Sequence, residues 1–371
     1  MAGPNPEDFR CDVLHLNTER SLRGGEIQTL GLIRGLRSRG SRCVLAARDG
    51  SPLLARARAE QVPVIPWRPR GEMDVVAAYG LRRWVAASGA QVVHAHTAHA
   101  LGLALLALAG TRSRTTVVAS RRVSFPLRSA LSLWKYRRAD AVVAVSGEIR
   151  EGLVAQGLGE NRVWTIHSGV ELARFQRLPT RSSARERFGV PADALTVGAV
   201  GALVEHKGHR VLLEAIAMLR DQGQEPTLIL AGEGPLRGPL VAEAQDRGVN
   251  LKLLGYVEEP AELFPALDVF ALASLSGEGS PGVIKEAAAA GVPVVATDVS
   301  GTSEILRHGQ EALIVPPGVP EALSAALARL LGDRVEARRL SGAARLRIEE
   351  FSMDRMALAH YELYRELLAS R

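Results

Sequence analysis

The sequence is poor in cysteine and has no long apolar run. Cys11 and Cys43 are its only cysteines, and both lie in strand-like apolar stretches, which favours two buried thiols over a disulfide or a metal site. No segment reaches the roughly 18–20 apolar residues that a membrane-spanning helix needs. The longest apolar stretch, 98–110, predicts a buried helix. The first ten residues lack the basic-then-apolar pattern of a signal peptide, so we expect a cytoplasmic protein.

Several common catalytic arrangements are also missing. The sequence contains no evident Ser-His-acid set and no Asp-x-Asp metal motif. The run Val92–His99 places three histidines at a predicted strand end, but no cysteine or carboxylate lies nearby. Because alternate residues of a strand point the same way, His94 and His96 face either the interior together or a ligand together. We therefore expect no metal site and no cofactor other than a co-substrate.

Acidic residues are scarce in the first half of the chain. Residues 1–175 carry 25 Lys and Arg against 14 Asp and Glu, whereas the remainder carries 21 and 26. The segment 97–139 holds eight basic residues and no acid, with Phe125, Trp134 and Tyr136 among them. Such a segment suits an anionic membrane surface, and equally nucleic acid or an acidic glycan. The simpler interpretation is an arginine-rich solvated surface.

Short apolar runs alternate with helical patterns along the whole chain, which predicts an α/β fold with parallel sheets. The expected strands are 12–17, 41–47, 62–66, 91–96, 115–120, 140–145, 162–167, 195–201, 227–232, 249–256, 268–273, 292–297 and 311–315. The amphipathic stretches between them are 25–39, 72–88, 146–157, 208–222 and 319–332.

Thirteen strands are too many for one sheet, so two doubly wound, Rossmann-like domains are expected. The polar segment 174–193 marks the break between them. This gives domains 1–175 and 176–351, followed by a helical pattern over 353–368. In open α/β sheets ligands bind beyond the carboxyl ends of the strands. Two such domains would face each other across a cleft, with donor on one side and acceptor on the other.

The segment Glu278–Gly291 (EGSPGVIKEAAAAG) lies between two apolar runs and predicts a loop followed by a short helix. We expect Ser280 to act as the N-cap and Pro281 to take the first helical position. The free N–H groups of that first turn favour an anion such as phosphate. Glu278 falls in the loop and Glu286 about one turn into the helix, so two carboxylates flank a phosphate-friendly helix start.

Two other glycine-containing turns follow predicted strands. In Val197–Gly208 (VGAVGALVEHKG) a strand ends at Gly201, and Lys207 stands where the next helix opens, so its ammonium suits a diphosphate. Near the N-terminus, Gly24 and Gly25 follow the first strand and allow close backbone approach to a ligand.

Together these motifs resemble the nucleotide-sugar-dependent retaining glycosyltransferases of family 4, which have the GT-B fold. The resemblance covers most of the chain and implies that the last helix crosses back onto the N-terminal domain. It implies that Glu278, Lys207 and Glu286 serve catalysis: Glu278 holds the donor sugar, Lys207 the diphosphate and Glu286 the ribose. The remaining donor contacts that it implies are Gly24, Gly25, Gly201, Gly282, Val283, Ile284 and Glu304.

The resemblance also locates the acceptor side and two departures from the family pattern. His96 at a strand end implies an acceptor role. The family motif Gly-Arg-Leu-x-x-x-Lys-Gly has Ala202 at its arginine position, so one charged donor to the diphosphate is missing. Many relatives carry a histidine near Ser120, which is followed here by Arg121 and Arg122. We hypothesise that these arginines bind the diphosphate or an anionic acceptor.

The resulting prediction is metal-independent, retaining transfer of a sugar from a UDP- or GDP-sugar to a glycan or lipid-linked acceptor. Envelope lipopolysaccharide or polysaccharide biosynthesis is the expected context, with the enzyme peripheral on the membrane through the basic segment 112–138. The alternatives are a catalytically impaired glycan- or nucleotide-sugar-binding protein, a sugar-nucleotide epimerase and a phosphorylase. Nucleic-acid binding has little support from the two-sheet pattern.

Overall fold

The structure is a computed structural model that describes residues 12–111 and 115–370. The chain forms two compact units. One contains the chain up to Gly169 together with the segment from Met353, and the other contains Val170–Ser352. Each unit is built around its own parallel sheet.

The first unit alternates strands and helices. Its strands are β1 (Val13–Asn17), β2 (Cys43–Arg48), β3 (Val64–Trp67), β4 (Val92–Ala95), β5 (Thr116–Arg121), β6 (Ala141–Ala144) and β7 (Val163–Thr165). Its helices are α1 (Gly24–Arg37), α2 (Pro52–Ala59), α3 (Val75–Ser88), α4 (Ala98–Leu108), α5 (Ala130–Arg138), α6 (Gly147–Ala155) and, after the second unit, α14 (Met353–Ala369).

The strands of this unit pair in the order β3-β2-β1-β4-β5-β6-β7, all parallel. The order reverses direction beside β1, which is the pattern of a doubly wound sheet and leaves a ligand crevice at the carboxyl edge. Every residue of β1, β4 and β6 is buried. Burial on both faces explains why these strands read as near-continuous apolar runs in the sequence.

The second unit repeats this architecture with six strands in the order β10-β9-β8-β11-β12-β13. Its strands are β8 (Thr196–Val200), β9 (Thr227–Ala231), β10 (Leu251–Gly255), β11 (Val269–Leu272), β12 (Val294–Thr297) and β13 (Leu313–Val315). Its helices are α7 (Arg181–Arg187), α8 (His209–Asp221), α9 (Arg237–Asp246), α10 (Gly282–Ala289), α11 (Thr302–Ile305), α12 (Pro320–Gly332) and α13 (Arg334–Arg347).

All thirteen strands fall at the positions that the sequence predicts. The α/β fold class with two doubly wound domains is therefore confirmed. Helix α4 is buried over much of its length, as the run 98–110 predicts. Among the described residues, no helix is both long and apolar enough to cross a membrane. Cys43 is a free, buried thiol whose pKa is raised to about 12 by burial, whereas Cys11 lies outside the described residues.

The polar segment 174–193 belongs to the second unit, whereas the sequence placed the domain break there. A polar residue of this segment makes structural hydrogen bonds. Arg185 on α7 is buried and donates hydrogen bonds to the carbonyls of Ala266, Ala192 and Ala194 and to the Asp268 carboxylate. A buried guanidinium with all these acceptors fastens the segment to the sheet of the second unit.

Helix α14 packs on α1 in the first unit through glycines that admit close approach. A Cβ at Gly31 would lie 2.2 Å from the Met353 sulfur, and one at Gly35 would lie 2.3 Å from the Ala357 Cβ. Larger residues at either glycine would push the two helices apart. This packing brings His360 and Tyr364 of α14 against His94 of β4.

Candidate functional site

The two glutamates singled out by the sequence flank the start of α10 in the second unit. Glu278 lies in the loop after β11, and Glu286 lies within the helix. The predicted N-cap is wrong by one residue, because Pro281 is the N-cap and the helix begins at Gly282. The Ser280 hydroxyl does not cap the helix; it accepts a hydrogen bond from Lys285 Nζ at 2.7 Å. The backbone N–H groups of Gly282, Val283 and Ile284 open the helix, which suits an anion.

Lys207 and Glu278 contact each other directly. Lys207 Nζ lies 2.5 Å from Glu278 Oε1, and that same oxygen accepts a hydrogen bond from the Ser274 hydroxyl at 2.6 Å. Glu278 is buried, with 8% of its surface exposed. A buried carboxylate needs such partners, and it is here held in a single orientation. The structure therefore brings together two of the three residues to which the resemblance gives a catalytic role.

Gly208 explains why Lys207 reaches that position. Its φ of 65° is in the left-handed region, and a Cβ there would lie 1.9 Å from the Ala273 carbonyl oxygen. Only glycine satisfies both conditions. A backbone hydrogen bond from Leu275 N to the His206 carbonyl, 2.8 Å long, fastens the same loop to the segment after β11.

The turn after β8 carries the departure from the family pattern. Ala202 is exposed, and its short side chain supplies no charge where the family has arginine. A Cβ at the neighbouring Gly201 would lie 3.9 Å from Lys207 Cε, so this backbone is close to the lysine. Gly232 and Gly234 on the next loop pack against the same turn, since a Cβ on either would lie within 2.3 Å of a carbonyl oxygen. The sequence reasoning missed these two glycines, although the Gly-Glu-Gly pattern was a visible signal.

Glu286 is held in a poorly solvated position. Burial raises the pKa of its carboxyl above the ordinary value, and the charges of Arg174 and Lys285 partly oppose that rise. Arg174 is itself paired with Glu259 at 2.5 Å. A carboxylate with a raised pKa gains from ligand hydroxyls that donate hydrogen bonds to it, because these replace missing solvation.

Lys285 was missed by the sequence reasoning, and it lies beneath the loop of Glu278. Its side chain is fully buried, and burial lowers its pKa to about 7. Besides its bond to Ser280, its Nζ lies 5.6 Å from the centre of the Phe351 ring. The Arg347 guanidinium lies 5.3 Å from the same ring centre and also donates to the Glu304 carbonyl at 3.3 Å. The Phe351 ring thus lies between Lys285, which holds the loop before α10, and Arg347, which holds the segment of Glu304.

Glu304 lies on the short helix α11, which starts after Gly301. That glycine has a φ of 77°, so the turn depends on its left-handed conformation. Glu304 is partly exposed. The residues from 201 onward to which the resemblance gives a donor contact thus lie in loops and helix starts at the carboxyl edge of the sheet in the second unit.

In the first unit, His96 and Ser120 belong to a buried histidine network. His15 Nδ1 lies 3.0 Å from His96 Nε2, and His94 lies 2.6 Å from the Tyr364 hydroxyl and 2.8 Å from the Ser120 hydroxyl. Burial lowers the pKa of His15 to about 3 and holds those of His94 and His96 well below the ordinary value. The Ser120 hydroxyl is therefore engaged in a hydrogen bond with His94.

Hydrogen-bond chemistry assigns the tautomers of two of these rings. Arg122 Nη2 lies 3.2 Å from His96 Nδ1. Arginine only donates, so His96 Nδ1 must accept and His96 Nε2 must carry the proton. His96 then donates to His15 Nδ1. The three rings thus hydrogen-bond within the network with a guanidinium alongside, and their ring nitrogens lie within 4.8 Å of one another.

The two arginines after β5 point to different surroundings. Arg121 donates to the Phe125 carbonyl and lies 5.8 Å from the centre of the Tyr136 ring. Arg122 turns toward the turn of Gly24 and Gly25: its Cδ would lie 3.6 Å from a Cβ at Gly25. Burial lowers the pKa of Arg122 to about 10, and the nearby Glu26 opposes that change. Of the pair, only Arg122 joins His96 and the glycine turn in one place.

A helix start, a lysine and two carboxylates lie at the carboxyl edge of a doubly wound sheet, an arrangement that suits a phosphorylated, hydroxyl-rich ligand. Comparison with known proteins identifies a class of protein whose substrates are of this kind. Residues 22–174 match the family described as Glycosyltransferase Family 4, and residues 194–333 match Glycosyl transferases group 1. The chain belongs to the group 1, family 4 glycosyltransferases with the GT-B fold.

Two curated relatives illustrate the sequence similarity. The 2-deoxystreptamine glucosyltransferase of Streptomyces kanamyceticus is 30% identical over 65% of this chain. The phosphatidyl-myo-inositol mannosyltransferase of Mycolicibacterium smegmatis is 29% identical over 68% of this chain. In both cases the similar region spans 65% of the relative's own length.

Solved structures confirm the fold over nearly the whole chain. A glycosyltransferase from Rickettsia africae superposes with a TM-score of 0.87 at 19% identity, covering 97% of this chain and 99% of that one. Anabaena Alr3699/HepE in complex with UDP-glucose gives 0.83 at 21% identity, covering 97% of this chain and 100% of that one.

Proposed function

We propose that this protein is a retaining glycosyltransferase that moves a sugar from a nucleotide diphosphate sugar to an acceptor hydroxyl. The observation that carries the proposal is the ion pair of Lys207 with Glu278 beside the start of α10. It puts a cation for the diphosphate and a carboxylate for the sugar within one hydrogen bond of each other. The binding of UDP-glucose by Alr3699/HepE supports a UDP-sugar as donor, with a GDP-sugar as the other possibility.

Each of the site residues in the second unit has a role in this proposal. Lys207 and the N–H groups of Gly282–Ile284 would stabilise the charge of the departing diphosphate. Glu286 would accept hydrogen bonds from the ribose hydroxyls. Glu278 would hold the sugar hydroxyls and support positive charge at the anomeric carbon. The diphosphate charge is then met by protein groups, so we propose a reaction that needs no metal ion.

The chemistry would take place on one face of the sugar. The bond between the anomeric carbon and the diphosphate oxygen breaks, and a bond forms between that carbon and the acceptor oxygen. The acceptor's proton passes to the departing diphosphate oxygen. The anomeric configuration is retained, and the protein contributes positioning and electrostatic stabilisation.

The first unit would bind the acceptor, near Arg122 and His96. The names of the relatives suggest either a small hydroxyl-rich acceptor or a membrane lipid, since one relative is a phosphatidyl-myo-inositol mannosyltransferase. We favour a glycan or lipid-linked acceptor of the cell envelope, in lipopolysaccharide or polysaccharide biosynthesis. The enzyme would then act on the cytoplasmic side, with the basic segment 112–138 facing an anionic membrane; residues 112–114 of that segment lie outside the described residues.

A second function is favoured by one observation. Ala202 is exposed and uncharged where the family has arginine, which suits a protein that binds nucleotide sugars with little turnover. Measuring turnover distinguishes the active transferase from the binding protein. Wild type, given UDP- or GDP-sugars and a lipid extract as the source of acceptor, should release nucleoside diphosphate. The release should continue in the presence of EDTA. NMR of the product should show that the anomeric configuration is retained. Binding without release in any combination would favour the second function.

A further inference from the structure

His209, the first residue of α8, is buried beside the turn after β8, with 4% of its surface exposed. Its Nε2 lies 3.1 Å from the carbonyl oxygen of Ala202, the residue at the arginine position of the family motif. A carbonyl oxygen only accepts, so Nε2 carries the proton and donates it to this bond. Burial lowers the pKa of the ring, so His209 is neutral at neutral pH.

The Ala202 carbonyl accepts a second hydrogen bond, from the N–H of Val204 at 3.0 Å. A bond between residues two apart closes a three-residue turn, the smallest that a chain forms with a backbone hydrogen bond. His209 holds the same oxygen from the side of α8, so both lone pairs of this carbonyl are used. The side chain of His209 therefore fixes the position of Ala202 together with the turn itself.

The neighbours of Ala202 on both sides have their N–H groups paired with the loops around β9. The N–H of Gly201 donates to the Ala231 carbonyl at 2.9 Å, and that of Leu203 donates to the Glu233 carbonyl at 2.9 Å. By contrast, nothing in the described part of the chain accepts from the N–H of Ala202. Because Ala202 is exposed, this open donor can reach a ligand.

Peptide geometry gives the direction of the open N–H. The peptide between Gly201 and Ala202 is trans, so its carbonyl oxygen and its N–H point to opposite sides. The oxygen points at Gly232 in the loop after β9, since a Cβ on Gly232 would lie 1.9 Å from it and 3.6 Å from the Ala202 nitrogen. The N–H of Ala202 therefore points away from β9. Strand β8 lies between β9 and β11, so the N–H points to the side of β11.

The side of β11 is also where the ammonium of Lys207 lies. Lys207 pairs with Glu278, which belongs to the loop after β11. Its Cε would lie 3.9 Å from a Cβ at Gly201, the residue directly before the open N–H. A backbone N–H and an ammonium that converge from one turn suit a single anionic group, because hydrogen bonds to charged oxygens are the strong ones.

We propose that the N–H of Ala202 donates a hydrogen bond to an oxygen of the donor's diphosphate, and that His209 is the positioning residue that holds Ala202 for this contact. The inference rests on the proposed glycosyltransferase function and adds a contact and a positioning residue to that same site. The backbone here supplies a donor where the family pattern has an arginine side chain. A backbone group held by the fold also loses little conformational freedom on binding.

Calorimetric titration of the full-length protein with UDP and GDP tests the role of His209. Gln can place an amide N–H where Nε2 stands, whereas Leu fills similar space without a donor. His209→Gln should therefore bind the nucleotide within about threefold of wild type, and His209→Leu about tenfold more weakly, with the KM for donor sugar rising in step. The melting temperature of His209→Leu should stay close to that of wild type, because the Ala202 carbonyl keeps its bond from Val204.

Two results of these titrations would overturn the proposal. Equal affinity in wild type and His209→Leu would mean that the histidine does not position the turn. Equally weak binding by His209→Gln and His209→Leu would mean that the imidazole acts by its packing and not by its hydrogen bond.

NMR tests the N–H of Ala202 directly. In protein labelled with ¹⁵N-alanine, the signal of Ala202 is the one lost in Ala202→Gly, a variant that keeps the N–H and should bind like wild type. Saturating UDP should move this signal downfield, as expected for an N–H that donates to a charged oxygen, and should move it less in His209→Leu. A signal that UDP leaves in place would contradict the contact.

Failure of this inference can be told apart from failure of the proposed function. Wild type that binds no nucleotide would contradict the glycosyltransferase proposal, and this inference with it. Nucleotide binding that is weakened in Lys207→Met but unchanged in His209→Leu would leave the glycosyltransferase proposal in place and contradict only the role of His209.

Discussion

The ammonium of Lys207 lies 2.5 Å from a carboxylate oxygen of Glu278, although 71 positions separate them in the chain. Each residue is the other's counter-ion in the free protein. A nucleotide diphosphate sugar would bring its own negative charge to Lys207 and its own hydroxyls to Glu278. The two residues should therefore respond differently to substitution.

Replacing Lys207 with Met should weaken nucleoside diphosphate binding about 10- to 100-fold, because one charge-assisted hydrogen bond is lost. Glu278→Gln should leave that affinity within about threefold, or strengthen it, because Lys207 is freed from its partner. Turnover should nevertheless fall in Glu278→Gln. Isothermal titration calorimetry with UDP and GDP measures the affinities. A larger affinity loss in Glu278→Gln than in Lys207→Met would contradict these roles.

Restoring the family arginine tests the significance of Ala202. The position is exposed, so Ala202→Arg should fold normally. A new guanidinium near the diphosphate should tighten nucleotide-sugar binding about five- to tenfold. Ala202→Gln, which adds length without charge, is the matched control. If both variants bind like wild type, another basic residue already occupies the role.

The raised pKa of Glu286 predicts a pH dependence of donor binding. The carboxylate form accepts hydrogen bonds from ribose, and it is lost as the pH falls through the raised pKa. Affinity should therefore decline on acidification, starting at a higher pH than for an ordinary glutamate. Titrations of UDP-glucose, whose diphosphate stays fully ionised as the pH falls, should show this decline in wild type and none in Glu286→Gln. The same decline in the variant would assign it to another group.

Lys285 is expected to position the loop rather than stabilise the fold. Replacing a buried cation by Met is often neutral for stability, so the melting temperature of Lys285→Met should stay close to that of wild type. The loop of Glu278 would lose its anchor at Ser280, and the KM for donor should rise about tenfold. Ser280→Ala removes the other partner of the same bond and should raise the KM likewise. An unchanged KM in both variants would show that the bond does not position the loop.

The buried histidines predict acid sensitivity of the first unit. His15 and His360 have pKa values lowered to about 3 and about 4, chiefly by burial, so they stay neutral in the fold but protonate when it unfolds below their ordinary pKa. The free energy of unfolding is therefore highest above about pH 7. It falls as the pH drops, by about 2 kcal/mol per histidine between pH 7 and pH 5.

Urea unfolding followed by tryptophan fluorescence measures this loss, because all four tryptophans lie in the first unit: Trp67, Trp84, Trp134 and Trp164. His15→Asn should show a shallower pH dependence than wild type. His99→Gln, at an exposed position, serves as the control and should match wild type. Equal slopes in wild type and His15→Asn would be evidence against a neutral buried His15.

The sequence predicts the strands well because both sheets are parallel and covered on both faces. Strands such as β4 and β11 are buried throughout and read as apolar runs between turn residues. The register of these runs also fixed which loops reach the carboxyl edges. For that reason the positions of Glu278, Glu286 and Lys207 near those edges follow from spacing, whereas their roles follow from the family resemblance and stay predictions.

Contacts between distant residues were beyond such reasoning. Ser280 has the residue type of an N-cap, yet the buried Lys285 takes its hydroxyl and the helix starts one residue later. Arg185 looked like part of a polar linker, but its guanidinium is buried against loop carbonyls.

The most direct test of the donor site is a thermal-shift screen of UDP-, GDP-, ADP- and dTDP-sugars against wild type and Glu286→Ala. One nucleotide class should stabilise wild type, and this stabilisation should be lost in the variant. No stabilisation of wild type by any of the four classes, or equal stabilisation of wild type and variant, would contradict the assignment of a nucleotide-sugar site at the start of α10.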